Sequence, residues 1–367
     1  MAIEPATVIA LVENFRTGQR FSSVEQWHVG HINDTFLVKT NGIPFAVLQR
    51  INHDIFKSPV ELMDNMLRIT NHIRGKLAAS GADAKRGTLQ IFQTNDGRHV
   101  LESEGNYWRL VRFIDGAYSI DVIENNDQAY EAARTFGEFQ NMLVDLSGPR
   151  LYDTIPNFHN TKLRFQEFED AVKNDLAERA KECPDEIDFI LSRKNMSSIV
   201  VDALAAGELP ERITHNDNKI NNVMFDSTTH KGLAAIDLDT VMPGSALYDF
   251  GDMVRTAAGS FEENETDLSK IFIIMDRYEA LVEGYLSAAK FLTAKELELL
   301  SFGGRLITFE QAFRFLADYL NGDSYYKTSH ETENLDRARS QIAFLSEMEK
   351  HQEEMEEIVR KTVKSTF

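Results

Sequence analysis

The apolar pattern of this chain changes period once, near Ile114-Asp115-Gly116, and that change limits the folds open to it. Before the break, short β-prone runs dominate. Residues 22–29, 35–40 and 45–50 read as a three-strand meander, with Asn41-Gly42 suited to the left-handed positions of a tight hairpin turn. One helix follows. Ser58 suits its N-cap, Pro59 its first position, and Glu61 would close a capping box; Leu62, Met66, Ile69 and Ile73 then recur at helical spacing until Gly81. Residues 89–93 and 99–101 flank Asn95-Asp96-Gly97, a second hairpin signal, and residues 107–114 read as a last strand. After the break the period is helical over 120–144, 161–180, 186–206, 269–289, 294–321 and 335–360, interrupted by a short β insertion near 220–240. The expectation is an α+β fold of two lobes, residues 1–115 small and β-rich, residues 116–367 large and mainly helical.

Charge follows the same division. The chain carries 39 Lys+Arg against 58 Asp+Glu, a net of -19. Residues 1–115 are nearly neutral at +1, so the helical part holds -20. That balance argues against nucleic acid or an anionic membrane as the main partner. Cys183 is the single cysteine, which excludes an intrachain disulfide and makes thiolate metal clusters a poor expectation. No run of about 18 apolar residues suggests a membrane span. The first residues lack a basic region and a small-residue cleavage site, so a cytoplasmic location is expected.

Chemistry concentrates between residues 215 and 252. His215-Asn216-Asp217-Asn218-Lys219-Ile220-Asn221-Asn222 fits H-x-D-x-K-x-x-N, and Asp237 follows Asn222 by fifteen residues. Residues 222–226 and 232–237 read as two arms of a hairpin, which would bring Asn222 beside Asp237 at its open end, with Asp217 in the preceding loop. Hard oxygen ligands of this kind, Asn222 and Asp237, suit Mg²⁺ on nucleotide phosphates. Asp239, two residues on along the same strand face, would assist. Asp217 can then accept the proton of an attacking hydroxyl, and Lys219 can offset charge on the transferred phosphoryl group. The pattern resembles the catalytic loop of protein kinases. Asp249-Phe250-Gly251 spells the protein-kinase metal motif but stands 32 residues after Asp217, too far along for the hairpin. Asp249 is therefore expected to bond loop backbone around a buried His215.

These segments, with Gly30-His31-Ile32-Asn33-Asp34-Thr35, Leu48-Gln49-Arg50-Ile51-Asn52, Ile155-Pro156-Asn157-Phe158-His159, Tyr319-Leu320-Asn321-Gly322-Asp323 and Asn334-Leu335-Asp336-Arg337-Ala338-Arg339, resemble the aminoglycoside phosphotransferase-like kinases, and within them the N-acetylhexosamine 1-kinase group. The resemblance implies a protein kinase-like two-lobed fold that uses ATP and Mg²⁺. ATP would lie under the turn at Gly30, its phosphates held by backbone N–H groups with Asn33 or Thr35, and against a hinge at Phe113 and Asp115. Arg50 would stand where protein kinases place a lysine, with Glu61 or Asp64 as its helix partner; always charged and able to bind bidentately, it could pair with the α/β-phosphates. The acceptor, a sugar, would meet His31, Arg314 and Tyr325, with Tyr319 or Tyr326 able to replace Tyr325, and Asp217 at the reacting hydroxyl. Phe309, Phe313 and Phe315 recur at helical spacing and read as core.

Other readings are a kinase for choline, homoserine or an aminoglycoside, which the acidic second part would suit, and a non-catalytic ATP-binding pseudokinase. The latter predicts loss of a catalytic group, whereas Asp217, Asn222 and Asp237 are all present. Oligomeric state is not legible.

Overall fold

The structure is a computed structural model that describes residues 5–27 and 32–366. In chain order its elements are α1 (Pro5–Val12), β1 (Ser23–Gln26), β2 (Asp34–Thr40), β3 (Ile43–Ile51), α2 (Pro59–Ser80), β4 (Leu101–Ser103), β5 (Asn106–Arg112), β6 (Ala117–Tyr118), α3 (Asn126–Leu143), α4 (Thr161–Asn174), α5 (Pro184–Leu191), α6 (Ile199–Ala205), β7 (Arg212–Thr214), β8 (Val223–Asp226), β9 (Gly232–Ala235), β10 (Met242–Gly244), α7 (Ala246–Ala257), α8 (Met275–Ala288), α9 (Ala294–Leu320), α10 (Glu333–Lys350) and α11 (Gln352–Thr366). The described residues fall into two compact units. One draws on 1–118, 145–156 and 224–242; the other on 119–144, 157–223 and 243–367. Among the described residues no helix is long and apolar enough to cross a membrane.

The first unit is built on an antiparallel sheet of order β1-β2-β3-β5-β4. Asn41 and Gly42 take φ of 51° and 79°, the left-handed pair that the meander requires at its β2–β3 turn. A second such pair, Glu104 and Gly105, joins β4 to β5 without any Asn or Asp to announce it. The expected strand at 89–93 is not part of the sheet as a strand. It makes only an isolated bridge from Ile91 to Val111, although the turn at 95–97 forms, with Thr94 and Arg98 bonded across it.

Register decides which side chains share a face. Thr35 lies opposite Gln49, and Gln49 opposite Arg109. Asp34, Arg50 and Trp108 alternate onto the other face. That other face carries the apolar core of the unit, where Phe36, Val38, Leu48, Trp108 and Leu110 meet Val8, Leu11 and Val12 of α1. α2 follows the predicted spacing, burying Leu62, Met66, Ile69 and Ile73, and Gly81 ends it at φ 75°. The capping box at its start does not form. Ser58 is the N-cap residue but makes no side-chain cap bond, so Pro59 alone marks that end.

In the second unit several predicted long helices are broken. Residues 186–206 divide into α5, a short 3-10 segment and α6, and residues 335–360 divide into α10 and α11 at His351. The longest helix, α9, begins with a complete capping box of Thr293 and Glu296. Its Phe309, Phe313 and Phe315 are buried with Phe165 and Phe168 of α4, as the spacing predicts. α7 crosses α9 at backbone contact. A Cβ at Gly251 would lie 2.3 Å from the carbonyl oxygen of Gly303, and one at Gly303 would lie 2.5 Å from that of Leu247. Only glycine fits at either point, and this close approach fixes α7, the helix that supports the site.

Candidate active site

The loop after β7 is strained and then tied down. Asn216 takes φ 62°, a left-handed conformation that Asn tolerates better than most residues. Asp249 of α7 accepts the backbone N–H of His215 at 2.8 Å and that of Asn216 at 2.7 Å, the structural role its position suggests. Asp252, three residues on and on the same helix face, accepts the N–H of Asn218 at 2.8 Å. Asp252 is not among the expected site residues, although its i, i+3 spacing from Asp249 is a signal for it. Gln140 donates to Asp249 at 2.7 Å, and burial pushes the Asp249 carboxyl up to about 7 against the pull of the two N–H donors. His215 is fully buried between Phe136 and Phe139, with ring centroids 5.2 and 5.7 Å away. Its burial is as expected.

Asp217 stands on this fixed loop. Asn222 donates to its backbone oxygen at 2.9 Å and to its carboxylate at 3.0 Å, and Lys219 Nζ lies 3.1 Å from the other carboxylate oxygen. Burial acts to raise the Asp217 carboxyl, but Lys219 and His215 outweigh it and hold the group below the usual carboxylate range. Asp217 is therefore ionised at neutral pH and acts as an acceptor. Lys219 is held charged above its ordinary value by Asp217.

A second cluster in the same unit runs to Arg314. His159 Nε2 is 3.4 Å from the backbone oxygen of Asn216, next to Asp217. Its Nδ1 lies 3.1 Å from both carboxylate oxygens of Glu310, and Arg314 donates to Glu310 at 3.2 Å. All three are part of a buried charge chain. Burial alone would push the His159 imidazole down, but Glu310 outweighs it and holds it above its ordinary value. The Arg314 guanidinium carbon lies 5.5, 5.9 and 6.0 Å from the ring centroids of Phe158, Tyr325 and Tyr326. Arg314 and Tyr325 are thus brought together, and Tyr326 joins them. Tyr319 is turned away, buried and donating to Glu182 at 2.7 Å.

In the first unit the polar residues assemble differently from expectation. β9 ends at Ala235, Asp237 takes φ 57°, and Leu238–Thr240 forms a 3-10 turn. Asp239 therefore does not continue a strand face with Asp237. It is bound by both terminal nitrogens of Arg109, the NH2 contact at 3.0 Å, and by Asn33 Nδ2 at 2.7 Å. Arg109 also donates to Gln49 at 2.9 Å, and Gln49 to Thr35 at 3.3 Å. Asn33 accepts the N–H of Asn52 at 2.9 Å. The expected nucleotide-side residues Asn33 and Thr35 thus belong to one network whose buried cation is Arg109, a residue sequence reasoning missed. Arg50 lies on the opposite face, half-exposed, and pairs with Asp34 across β2 and β3 (Nε to Oδ2, 2.7 Å). That pairing replaces the expected Glu61 or Asp64. The register that sets Gln49 opposite Thr35 depends on a shift between Val38 and Lys39, which the Asn41-Gly42 turn does not announce. Phe113 takes a backbone bond to Phe45 at 3.0 Å and its ring is 6.2 Å from Trp27, while Asp115 lies just past it before β6. Gly30 and His31 lie outside the described residues.

The amide oxygen of Asn222 in the second unit and the carboxylate of Asp237 in the first are each hard oxygen donors of the type that suits Mg²⁺. Asp239 is committed to Arg109 and Asn33. Among the described residues no group of three or more His, Cys, Asp or Glu side chains could hold a metal ion alone.

Comparison with known proteins adds a family and a fold. The family model of the phosphotransferase enzyme family matches residues 23–281. A microcompartment-associated aminopropanol kinase superposes with a TM-score of 0.54 at 15% identity, covering 96% of this chain and 98% of its own. Choline kinase from Cryptosporidium parvum gives 0.56 at 15% identity, covering 95% and 96%. A spectinomycin phosphotransferase, in complex with ADP and spectinomycin, gives 0.53 at 13% identity, covering 99% of each chain. The fold is protein kinase-like, with a β-sheet N-lobe and a mainly helical C-lobe.

Proposed function

Since this chain belongs to the phosphotransferase enzyme family, we propose that it is an ATP- and Mg²⁺-dependent kinase that phosphorylates the anomeric hydroxyl of an N-acetylhexosamine. The lobes of the proposal are 1–115 for the nucleotide and 116–367 for the catalytic loop and acceptor. The observation that carries the choice of acceptor is the position of Arg314. Three aromatic rings of the kind that binds an ammonium group are grouped at Phe158, Tyr325 and Tyr326, but a protein cation already stands among them. A choline-like or polyamine acceptor would face a like charge there. A neutral sugar offers hydroxyl and amide oxygens to the same guanidinium, and an apolar face to the rings.

In this reading Asp217, ionised and fixed by Asn222 and Lys219, orients the sugar hydroxyl and takes its proton as it attacks the γ-phosphorus in line. Lys219 offsets charge on the transferred group. Arg109 holds the turn that follows Asp237 and the Asn33 loop in place. Asn222 and Asp237 would hold Mg²⁺, whose chemistry here is to neutralise the phosphates and keep the γ-phosphoryl group in position. Gly30, Thr35, Phe113 and Asp115 complete the proposed ATP site, and His31 the acceptor site. Arg50 is assigned to its surface pair with Asp34. ADP release measured with N-acetylglucosamine, N-acetylgalactosamine, choline, ethanolamine and kanamycin tests the reading. Turnover of the two sugars is expected; turnover of choline or kanamycin alone would overturn it.

A further inference from the structure

Two segments singled out in the sequence, 319–323 and 334–339, take no part in the chemistry above. The structure brings them together. α9 ends at Leu320, and the chain then reverses through Gly322 at φ 85° and Asp323 at φ 59°. The reversal turns residues 324–326 back onto Asp318, which lies in the last turns of the same helix and is 5% exposed. One carboxylate then accepts three consecutive backbone N–H groups. Ser324 and Tyr325 donate to Oδ1 at 3.0 and 2.9 Å, and Tyr326 donates to Oδ2 at 2.9 Å. Asn334, fully buried at the start of α10, donates to Asp318 at 3.0 Å and to Asp323 at 2.8 Å. Arg179 reaches Asp323 from the other side at 2.5 Å. The two segments are halves of one clasp.

What the clasp holds is the pair of tyrosines over Arg314. Tyr325 is 59% exposed, so packing does little to fix it. Its backbone, and that of Tyr326, are fixed by Asp318. Charge-assisted bonds to N–H groups are the stronger kind, and an isolated loop of this length would otherwise sample many conformers. We infer that Asp318 is a positioning residue for acceptor recognition, acting through the 324–326 loop to set Tyr325 and Tyr326 against Arg314. The inference rests on the reading that the acceptor binds at Arg314.

Steady-state kinetics on the full chain test it, with Asp318→Asn, Asp323→Asn and Arg314→Gln compared for N-acetylglucosamine and for ATP. Asp318→Asn keeps the shape but removes the charge and one acceptor, so KM for the sugar should rise roughly tenfold or more, with KM for ATP unchanged. Asp323→Asn, which tolerates the same left-handed backbone and leaves the α9 helix untouched, should raise sugar KM in the same direction by less. Limited proteolysis should cut both variants within 322–330 faster than wild type. If Arg314→Gln raises sugar KM while neither Asp variant does, the positioning role is wrong and the acceptor site stands. If Arg314→Gln leaves sugar KM unchanged, the acceptor site itself is wrong. An equal loss of ATP and sugar kinetics in the Asp variants would mark a general folding role and also overturn the inference.

Discussion

Removing the negative charge of Asp239 should destabilise the first unit by about 3–5 kcal/mol, the usual cost of leaving one member of a buried ion pair unmatched. The side chains of Arg109 and Asp239 are only 2% and 3% exposed. In Asp239→Asn the guanidinium keeps its bond to Gln49 but loses the carboxylate that neutralises it, and Asn33 loses a charged acceptor. Arg109→Met should cost a similar amount from the other side. Replacing both with apolar residues, Arg109→Met with Asp239→Leu, removes the stranded charge altogether. That double variant should be at least about 2 kcal/mol more stable than the sum of the single losses, as contacting residues couple on this scale. Urea unfolding followed by tryptophan fluorescence is a suitable assay, because the two tryptophans, Trp27 and Trp108, both belong to this unit. Single losses below about 1 kcal/mol, or strict additivity in the double variant, would refute a buried, coupled pair.

Asp217→Asn should abolish phosphoryl transfer while ATP binding by calorimetry persists; unchanged turnover would remove Asp217 as the base. Because Asp217 is held below the usual carboxylate range, kcat/KM should show no acidic limb from it above about pH 4, the ordinary carboxylate value; a titration of the Asp217 carboxyl carbon by NMR with its midpoint between about pH 5 and 7 would contradict this. His159 is held above its ordinary value of about 6.5, so its contribution to stability is complete below that pH and is lost as pH rises through the folded value. Urea midpoints of wild type should therefore decline on the alkaline side, and Glu310→Gln should flatten that decline; parallel profiles would count against the pair. Asp249→Ala strands the N–H groups of His215 and Asn216 and the amide of Gln140, at about 1–3 kcal/mol for each buried group left unsatisfied. Loss of transfer with unchanged thermal stability would disagree with that account.

Local chemistry made much of the fold legible before any coordinates. The Asn41-Gly42 turn, the Pro59 start and Gly81 stop of α2, and the helical stripe of Phe309 and Phe313 each depend on residues adjacent in sequence or one turn apart. The Asp249 contact was legible too, because the hairpin argument left that carboxylate without a metal and beside a polar loop. What escaped depends on pairing across the chain. Arg50 and Arg109 are both arginines in β-prone runs, and only strand register separates the surface pair with Asp34 from the buried pair with Asp239. In the sequence Asp239 continues the alternation of a strand, but β9 ends at Ala235 and the left-handed Asp237 turns the chain away. The broken helices near residues 192 and 351 contain no Pro or Gly at the break, so periodicity alone ran through them. His159 and Glu310 are 151 residues apart, a separation that no local pattern reports.

The central claim is transfer of the γ-phosphoryl group of ATP to the anomeric hydroxyl of an N-acetylhexosamine. Phosphorus-31 NMR of the product formed from ATP, Mg²⁺ and N-acetylglucosamine tests it most directly. The account predicts one new phosphomonoester signal, coupled to the anomeric proton. A phosphomonoester coupled to protons at any other carbon, or no sugar phosphate while choline is phosphorylated under the same conditions, would contradict it.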